Sequence, residues 1–292
     1  MPLPIHRPKD TPPLVHEERA AEADSAEGEP AAPELPVHVA IIMDGNRRWA
    51  RAHGVSEMEG HAAGVEGIRE IIRHAVRREV PVLSLYAFSR ENWARSDEEV
   101  AGLFMLLEKV IRNETPELKA EGARVRLLGR LDELPPPAQE SIRQALDETA
   151  GGECLQLNIA FNYSGRTELV DAARQLVASG KRPEEIDEAA LAGALYTAGL
   201  PDPDMVIRTG GDHRLSNFLI WQAAYAEIYV TPTLWPDFGP DELDAALEEY
   251  ASRQRRFGRS GRGRCAGEPS APSSSCRRCF SSWPWASRGS GR

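Results

Sequence analysis

Apolar and polar positions along the chain predict short buried strands separated by amphipathic helices. The run 37–43 is almost entirely apolar and rich in β-branched residues, which is typical of a strand buried on both faces. Similar runs predict strands at 80–89, 124–129, 154–163, 205–208 and 228–230. Helical periodicity predicts helices at 60–78, 96–111, 135–150, 166–178, 186–196 and 241–257. This order predicts an α/β fold with a single, mainly parallel, six-stranded sheet flanked by helices.

Local signals support two of these helix starts. Ser96 followed by Glu99 has the spacing of a capping box, in which each residue's side chain bonds the other's backbone N–H. Prolines at the start of the 135–150 segment are typical of the first helical turn, where the missing N–H is not needed. We therefore expect both helices to begin at these residues.

Both ends of the chain lack the periodicity of the middle. Residues 1–36 are rich in Pro, Ala and Glu, and residues 259–292 are rich in Arg, Ser and Gly, so we predict disordered extensions around a catalytic domain at 37–258. The basic tail contains tryptophan and suits weak contact with anionic lipid, although an inert tail is the simpler interpretation. Cys276 and Cys279 have zinc-site spacing, but no second ligand pair accompanies them.

The charge distribution argues against a nucleic-acid partner. The chain has a net charge of −10. Residues 1–36 carry three basic and eight acidic groups, and residues 253–292 carry ten arginines and one glutamate, so residues 37–252 have a net charge of −14. An acidic body does not attract a polyanion over its surface. No apolar run approaches the roughly 20 residues that span a bilayer, and we predict a cytoplasmic protein.

Polar clusters directly follow three of the predicted strands, at 44–48, 89–95 and 208–216. Since parallel strands end at one edge of their sheet, these clusters should meet there. Asp44 offers a carboxylate for Mg²⁺, while nearby arginines and helix N–H groups suit phosphate oxygens. For the first cluster alone, an N-capping Asp44 followed by a solvated basic turn is an open alternative. The absence of G-x-G-x-x-G and GxxxxGK[ST] motifs counts against a nucleotide site.

Four segments carry a resemblance to a known family: HVAIIMDGNRRWA, YAFSRENWAR, RTGGDHRLSNFLIWQ and AYAEIY. In order and spacing they resemble the cis-prenyltransferases, typified by undecaprenyl diphosphate synthase, over about 37–258. The resemblance implies an enzyme that condenses isopentenyl diphosphate sequentially onto an allylic diphosphate such as farnesyl diphosphate and releases diphosphate. The implied product is a polyprenyl diphosphate with cis double bonds, namely the undecaprenyl precursor of the cell-wall carrier lipid.

The resemblance also implies roles for individual residues. Asp44 and Glu227 would hold Mg²⁺, and Asn92 would act with Asp44 in catalysis, near the proton-removal step. Because an amide is a poor base, we expect Asn92 to position the substrate or to relay to a phosphate oxygen. The implied substrate-binding residues are Gly45, Asn46, Arg47, Arg48, Trp49, His61, Ser89, Arg90, Glu91, Trp93, Arg95, Arg208, Arg214, Leu215, Ser216, Arg256 and Gly258.

Several of these residues have plainer interpretations from sequence alone. His61 fits a surface position at a helix start, and Phe88 and Trp93 fit a hydrophobic core. The growing product needs an apolar tunnel, for which the candidate lining is Ala87, Leu103, Leu107, Leu155 and Leu157, and ordinary core residues would look the same.

The chain departs from the family pattern at three positions. Arg47 stands where many bacterial members have Gly, and Glu57 replaces a phosphate-binding arginine. Asp212 replaces a glutamate, which keeps the charge but shortens its reach. These departures leave the role of Glu57 open.

The resemblance further implies a homodimer in which Arg256 and Gly258 reach the partner's isopentenyl diphosphate, and a product delivered to the membrane through peripheral contact. Two alternatives remain. A non-catalytic subunit of the same fold would lack the metal acid and the strand-end arginines, and this chain has both. An unrelated α/β phosphatase or nucleotide hydrolase is disfavoured by the missing P-loop and the single strand-end acid.

Overall fold

The structure, a computed structural model, describes residues 35–253. Its strands are β1 (His38–Ile42), β2 (Val82–Ser89), β3 (Ala123–Leu128), β4 (Leu155–Tyr163), β5 (Met205–Arg208) and β6 (Glu227–Val230). Its helices are α1 (Asn46–His53), α2 (Glu57–Arg77), α3 (Asp97–Ala120), α4 (Pro136–Thr149), α5 (Gly165–Ala178), α6 (Glu188–Ala192) and α7 (Pro240–Ser252). The predicted six-stranded α/β fold is therefore confirmed.

All six strands are parallel and follow the order β3-β4-β2-β1-β5-β6. Strand β1 lies near the middle, with every residue buried, as the continuous apolar run predicts. Ile42 pairs with Tyr86 on β2 and with Arg208 on β5. The segments after these strands therefore leave the sheet at the same edge.

Both faces of the sheet are covered by hydrophobic residues. On one face, Ile41 and Leu83 pack with residues of α2 and α7 and with Trp235, whose indole N–H donates to the Gly64 carbonyl at 2.7 Å. On the other face, Ala40 belongs to a cluster that includes Phe218. Burial of such side chains contributes roughly 1.5–3 kcal/mol each to the free energy of unfolding.

The structure corrects several predicted boundaries. The helix predicted at 186–196 is shortened to Glu188–Ala192, and the closing helix predicted at 241–257 ends at Ser252, since Arg253 has an extended backbone. Ser96 does cap the Glu99 N–H, but the Glu99 carboxylate bonds Arg95 instead of completing a capping box. A complete box occurs at Ser56, where the sequence was not interpreted as a helix start.

The predicted disordered segments 1–36 and 259–292 lie outside the described residues, except for their boundary at 35 and 36. There Leu35 packs against the core and Pro36 is buried, so these two residues belong to the folded domain. Within the described part of the chain, no helix is long and apolar enough to span a bilayer.

Buried polar side chains on β1, β2 and β4 form a chain of hydrogen bonds across the sheet. His38 Nδ1 lies 2.8 Å from the Pro201 carbonyl, so this nitrogen carries the proton, because a carbonyl only accepts. His38 Nε2 then accepts from the Ser84 hydroxyl at 2.8 Å, and Ser84 accepts from Asn158 at 3.0 Å. Burial lowers the pKa of His38 to about 4, against opposing contributions from Pro201 and Asp204.

We predict that His38 makes the fold acid-sensitive. The folded-state pKa of about 4 lies below the ordinary 6.5, so the unfolded chain binds more protons between these values and stability falls as pH drops from 6.5 to 4. The His38 contribution to this loss is about 3 kcal/mol. Urea unfolding at pH 7 and pH 4.5 should show a smaller pH-dependent loss for His38→Gln than for the wild type. An identical loss in both proteins would contradict the assignment.

Candidate active site

The edge of the sheet where β1 ends carries a helix start with an open backbone. Gly45 is the N-cap of α1 with φ 117°, and no side chain caps the helix. A Cβ at Gly45 would lie 2.9 Å from Leu234 Cδ2, so both the backbone angle and the packing require glycine. Asp44 is therefore not the N-cap, and the alternative interpretation of this segment is wrong. The first backbone N–H groups of α1 remain suited to an anion.

The Asp44 carboxylate instead faces two arginines. Arg208 Nη2 lies 2.7 Å from Oδ2, and Arg48 Nη2 lies 3.2 Å from Oδ1. Burial alone would raise the pKa of Asp44, but the hydrogen bond and charge of Arg208, with those of Arg48, outweigh burial and lower it. The carboxylate is therefore ionised at neutral pH.

The backbone on either side of Asp44 is tied to the loop that follows β5. The Asp44 N–H donates to Thr209 Oγ1 at 2.9 Å, and the Thr209 hydroxyl donates to the Asp44 carbonyl at 2.6 Å. Arg48 donates to the Gly210 carbonyl at 2.5 Å, and a Cβ at Gly210 would come within 2.2 Å of the Arg48 guanidinium. Thr209 and Gly210 were not singled out from the sequence, although both lie inside the RTGGDHR motif.

Arg208 is the central buried cation of the site, with only 4% of its surface exposed. Its Nη1 donates to Ser216 Oγ at 2.6 Å and also to the Arg214 carbonyl. Its Nε is buried without a partner. Arg214 is largely exposed and pairs with Asp212 at 2.6 Å, which also lies 3.4 Å from Arg208. Arg208 therefore fixes this loop and retains unused hydrogen-bonding capacity.

Leu215 and Ser216 lie together in this loop, as the sequence predicts. Leu215 is partly buried against the Phe218 cluster, and its carbonyl accepts from the Phe218 N–H at 3.0 Å. Ser216 has a left-handed backbone, with φ 47°. This strained backbone directs the Ser216 hydroxyl to Arg208.

Asn217 is a site residue that sequence reasoning missed. Its backbone is also left-handed, with φ 64°, which asparagine tolerates better than most residues. Its side-chain amide donates to Glu91 at 2.9 Å and to Ser164 at 2.8 Å, and it accepts from the Arg166 N–H at 2.9 Å. Asn217 thereby links the loop after β5 to the loop after β2. The sequence feature that could have identified Asn217 is its position next to Ser216.

The loop after β2 is a short 3₁₀ turn, Arg90–Ala94. The Asn92 side-chain oxygen accepts from the Ser89 N–H at 3.0 Å, so it serves the turn itself. Trp93 is 41% exposed, and its indole donates to Asn162 at 2.8 Å while its ring packs on Phe104. Phe88 is buried in a cluster with Phe104 and also lines the apolar cavity described below.

Further polar groups at this edge of the sheet already have partners within the chain. Arg90 pairs with Glu133, and Arg95 pairs with Glu99 at 2.7 Å. The Trp49 indole donates to Asp237 at 2.7 Å, at the outer side of α1. These pairs hold the side chains in place before any ligand binds.

His61 lies inside the site, not on an open surface. Its Nδ1 is 3.4 Å from Asn46 Nδ2, and its Nε2 is 3.7 Å from Glu99. Burial and the nearby Arg95 charge lower the pKa of His61. The ring is therefore neutral at pH 7. The Asn46 side-chain oxygen is buried without a hydrogen-bond partner, so this part of the site has an acceptor that a ligand could satisfy.

Glu57 pairs with arginines of α1. Its carboxylate lies 2.9 Å from Arg47 Nε and 3.5 Å from Arg51 Nη2. The hydrogen bond from Arg47 lowers the pKa of Glu57. Glu57 therefore competes with any anion for the Arg47 guanidinium.

The structure does not bring Glu227 to Asp44 within the chain. Glu227 begins β6 and pairs in register with Met205, whereas Arg208 pairs with Val230 at the site edge. Three residues of strand place Glu227 about 10 Å from that edge. Its carboxylate pairs with Arg253 at 2.7 Å. The metal pair of Asp44 and Glu227 that the resemblance implies is thus not formed within one chain.

Two predicted site residues, Arg256 and Gly258, lie outside the described residues. Among residues 35–253, no group of three or more His, Cys, Asp or Glu side chains is arranged to hold a metal ion.

An apolar cavity of about 180 Å³ opens beside the charged edge. Asn46, His61 and Ala87 line one end of it, between the sheet and helices α2 and α3. Leu103, Leu107 and Leu157 line it as predicted, but Leu155 does not and belongs to the buried core. A charged edge that leads into an apolar cavity suits an amphiphile with an anionic head and a hydrocarbon tail.

We predict that Glu57→Gln strengthens anion binding at this edge. Removal of the carboxylate frees Arg47 and Arg51, and since exposed ion pairs contribute little, the expected gain in affinity for inorganic diphosphate is about two- to fivefold. Isothermal titration calorimetry measures it. Glu140→Gln removes a remote exposed carboxylate and serves as the charge-matched control. Equal gains in both variants would reflect net charge alone and contradict the prediction.

Comparisons with known proteins agree with this geometry. The family model described as "Putative undecaprenyl diphosphate synthase" matches residues 42–258. An isoprenyl transferase of Heliobacterium mobile is 46% identical over 228 residues, which cover 77% of this chain and 88% of the relative. An isoprenyl transferase of Prochlorococcus marinus is 48% identical over 77% of this chain and 86% of its own length.

Solved structures show the same fold. Lavandulyl diphosphate synthase from Lavandula x intermedia, in complex with dimethylallyl diphosphate, matches with a TM-score of 0.75 and 38% identity over 77% of this chain and 98% of its own. A probable undecaprenyl diphosphate synthase from Campylobacter jejuni matches with a TM-score of 0.66 and 32% identity over 77% of this chain and 99% of its own. The chain therefore belongs to the undecaprenyl diphosphate synthase family of isoprenyl transferases and is a prenyltransferase.

Proposed function

We propose that this prenyltransferase condenses isopentenyl diphosphate sequentially onto an allylic diphosphate such as farnesyl diphosphate, and that its product is the undecaprenyl carrier-lipid precursor of cell-wall synthesis. The observation that carries the proposal is the ionised Asp44 with Arg48 and Arg208 at the mouth of the apolar cavity. A catalytic subunit needs both the acid and the arginines, so this arrangement favours an enzyme over a non-catalytic subunit of the same fold.

The residues at this edge fit Mg²⁺. Mg²⁺ is commonly held by one or two carboxylates together with substrate phosphates, and Asp44 offers one ionised, partly exposed carboxylate. When bound, Mg²⁺ would supply charge neutralisation to the departing diphosphate. Asp44 is the residue of the described chain that would hold it.

The allylic diphosphate is placed over the start of α1. Backbone N–H groups after Gly45, the Asn46 amide and the Arg48 guanidinium would bind its oxygens, and its hydrocarbon tail would enter the cavity past Ala87. Neutral His61 would donate or accept a hydrogen bond there without adding charge. Stabilising the departing diphosphate charge is the main catalytic contribution of this group.

Isopentenyl diphosphate is placed on the loop after β5. Arg208, Arg214 and Ser216 would hold its diphosphate so that its double bond faces the allylic carbon. To do so, Arg208 would exchange its bond with Asp44 for a phosphate oxygen, which frees the carboxylate. Asn92 positions the turn after β2 and is not a base, so the proton lost on condensation is more simply taken by a diphosphate oxygen.

We place the enzyme in the cytoplasm with peripheral contact to the membrane that receives its product. We also propose a homodimer, because edge strand β6 and the turn before it expose large apolar side chains. Tyr225 is 81% exposed and Ile228 is 50% exposed. Exposed apolar groups beside an open strand edge are typical of an interface. Arg256 and Gly258 remain predicted to contribute to the partner's site.

The proposed reaction is tested by incubating the purified protein with farnesyl diphosphate, isopentenyl diphosphate and Mg²⁺. We predict steady release of diphosphate and a ladder of polyprenyl products, and we expect Asp44→Asn to lower the rate by at least about 100-fold at saturating Mg²⁺. Asp241→Asn, on the exposed first turn of α7, is the matched control and should retain the wild-type rate.

Circular dichroism checks that Asp44→Asn is folded, since the substitution leaves Arg208 without its charged partner. A folded Asp44→Asn protein with a rate within tenfold of the wild type would exclude Asp44 as the metal acid. Absence of any condensation by the wild type would overturn the proposed function.

The dimer is tested by light scattering on a sizing column. We predict that Ile228→Glu converts the dimer to a monomer, because an unpaired charge at an apolar interface opposes association. Met105→Glu alters another exposed apolar side chain, on α3, and should leave the dimer intact. Dimers of unchanged affinity in Ile228→Glu would place the interface elsewhere.

A further inference from the structure

Strand β4 contains an extra residue just before it ends. Phe88 on β2 pairs with Phe161. The next residue on β2, Ser89, pairs with Tyr163, so Asn162 has no partner in β2. A β-bulge of this kind is rare between parallel strands, and bulges often lie beside active sites, where they redirect a side chain. Asn162 is fully buried and has a left-handed backbone, with φ 50°. A buried amide side chain needs hydrogen-bond partners, and these come from outside the sheet.

Three hydrogen bonds fix the orientation of the Asn162 amide. The Trp93 indole N–H donates to its Oδ1 at 2.8 Å. Because an indole nitrogen only donates, this atom of the amide is the oxygen. The amide Nδ2 donates to the Arg130 carbonyl at 2.7 Å and to the Glu133 carboxylate at 3.1 Å. One buried side chain therefore joins the loop after β2 to the loop after β3.

Glu133 extends this connection to Arg90. Its carboxylate pairs with Arg90 and lies 2.9 Å from Arg130 Nη1. The hydrogen bonds from Arg130 and Arg90 lower the pKa of Glu133 to about 2, so the carboxylate is ionised at neutral pH. Arg90 begins the 3₁₀ turn after β2, and Trp93 lies near its end. Asn162 therefore holds this turn at two points, directly through Trp93 and indirectly through Glu133.

The loop after β3 packs closely against the bulge. Gly129 has φ 136°, and a Cβ at this position would clash with the Phe161 carbonyl oxygen. Both the backbone angle and the packing therefore require glycine. The Asn162 carbonyl accepts from the Arg130 N–H at 3.3 Å. The bulge thus has a fixed position relative to both loops.

The 3₁₀ turn lies between the two groups of residues that are proposed to hold the diphosphates. On one side, Glu91 accepts from Asn217 in the loop after β5 at 2.9 Å. On the other side, Arg95 directly follows the turn and pairs with Glu99 at 2.7 Å. Glu99 in turn lies 3.7 Å from His61. Displacement of the turn would therefore disturb both groups.

We propose that Asn162 is a positioning residue for the condensation, and that the bulge in β4 holds the 3₁₀ turn after β2 between the two substrate diphosphates. The inference rests on the proposed function, because that function places a diphosphate on each side of the turn. Asn162 is fully buried and acts through Trp93 and Glu133. Misplacement of reacting groups by about 1 Å can lower a rate about 100-fold. Loss of the Asn162 amide should therefore lower kcat more than it raises either KM.

The main variant is Asn162→Gly, which removes the amide but keeps a residue that adopts the left-handed backbone without strain. We predict a kcat about 10- to 100-fold lower, with KM values for farnesyl and isopentenyl diphosphates within about threefold of the wild type. Asn158→Gly is the matched control, since Asn158 is also fully buried on β4 and bonds Ser84 instead. It should lower the melting temperature and leave the kcat of the folded enzyme unchanged.

Two further variants test the connections separately and keep the test in place if Asn162→Gly does not fold. Trp93→Phe keeps an aromatic ring and removes the indole N–H, and Glu133→Gln removes the charge that holds Arg90. Each should lower kcat by itself. Trp93→Phe combined with Asn162→Gly should lower kcat by less than the product of the two single effects, because both remove the same hydrogen bond.

A fluorescence measurement on the full-length protein tests the position of Trp93 without substrates. The Trp93 signal is the difference between proteins with and without Trp93→Phe. We expect acrylamide to quench this signal more strongly in the Asn162→Gly background, because the indole loses the hydrogen bond that holds it.

Several outcomes would overturn the positioning role of Asn162. These are a folded Asn162→Gly enzyme with the wild-type kcat, an equal loss of kcat in Asn158→Gly, or single effects of Asn162→Gly and Trp93→Phe that multiply fully. Unchanged quenching of Trp93 would show that the amide does not hold the turn. A wild type that makes no condensation product would instead overturn the proposed function, and the fluorescence comparison would still test whether Asn162 holds the turn.

Discussion

The ion pair between Arg208 and Asp44 is the interaction on which the rest of this edge depends. Arg208 is buried at the end of β5, so its charge must be compensated inside the protein, and Asp44 at the end of β1 provides that compensation. The same guanidinium fixes Ser216 and the Arg214 carbonyl. Because β1 and β5 are adjacent and parallel, a single pairing sets the position of Asp44 relative to the loop after β5.

Most of the positive charge at this edge is compensated before any ligand binds. A chain body with a net charge of −14 nonetheless gathers arginines at one place, and each described one has an acidic partner: Arg47 with Glu57, Arg48 and Arg208 with Asp44, Arg95 with Glu99, and Arg214 with Asp212. A diphosphate would therefore enter by replacing carboxylates on guanidiniums. The existing ion pairs hold these side chains in position before a ligand binds. Because each pair is given up when a phosphate oxygen binds, the net gain in binding free energy per contact is limited.

Rigidity differs between the two ends of the cavity. At the site end, Thr209 and the Gly210 carbonyl bind Asp44 and Arg48 through partly buried hydrogen bonds, and Asn217 adds an exposed hydrogen bond to Glu91. At the far end, α2 and α3 are joined through exposed ion pairs beside a proline. Fixed reacting groups are a requirement of catalysis, and the hydrogen bonds at the site end meet it.

The sequence by itself determined the fold class, the buried central strand, the three polar clusters and the family, because these follow from hydrophobic period and local motifs. Tertiary structure decided which charges meet. Within one chain, Glu227 lies at the opposite end of its strand from the edge that carries Asp44, because the register is set by pairing with β5. Asn217 and Glu91, 126 positions apart, meet only after the sheet brings two loops to one edge. The ion pairs between α2 and α3 likewise depend on helix packing, which no local sequence pattern encodes.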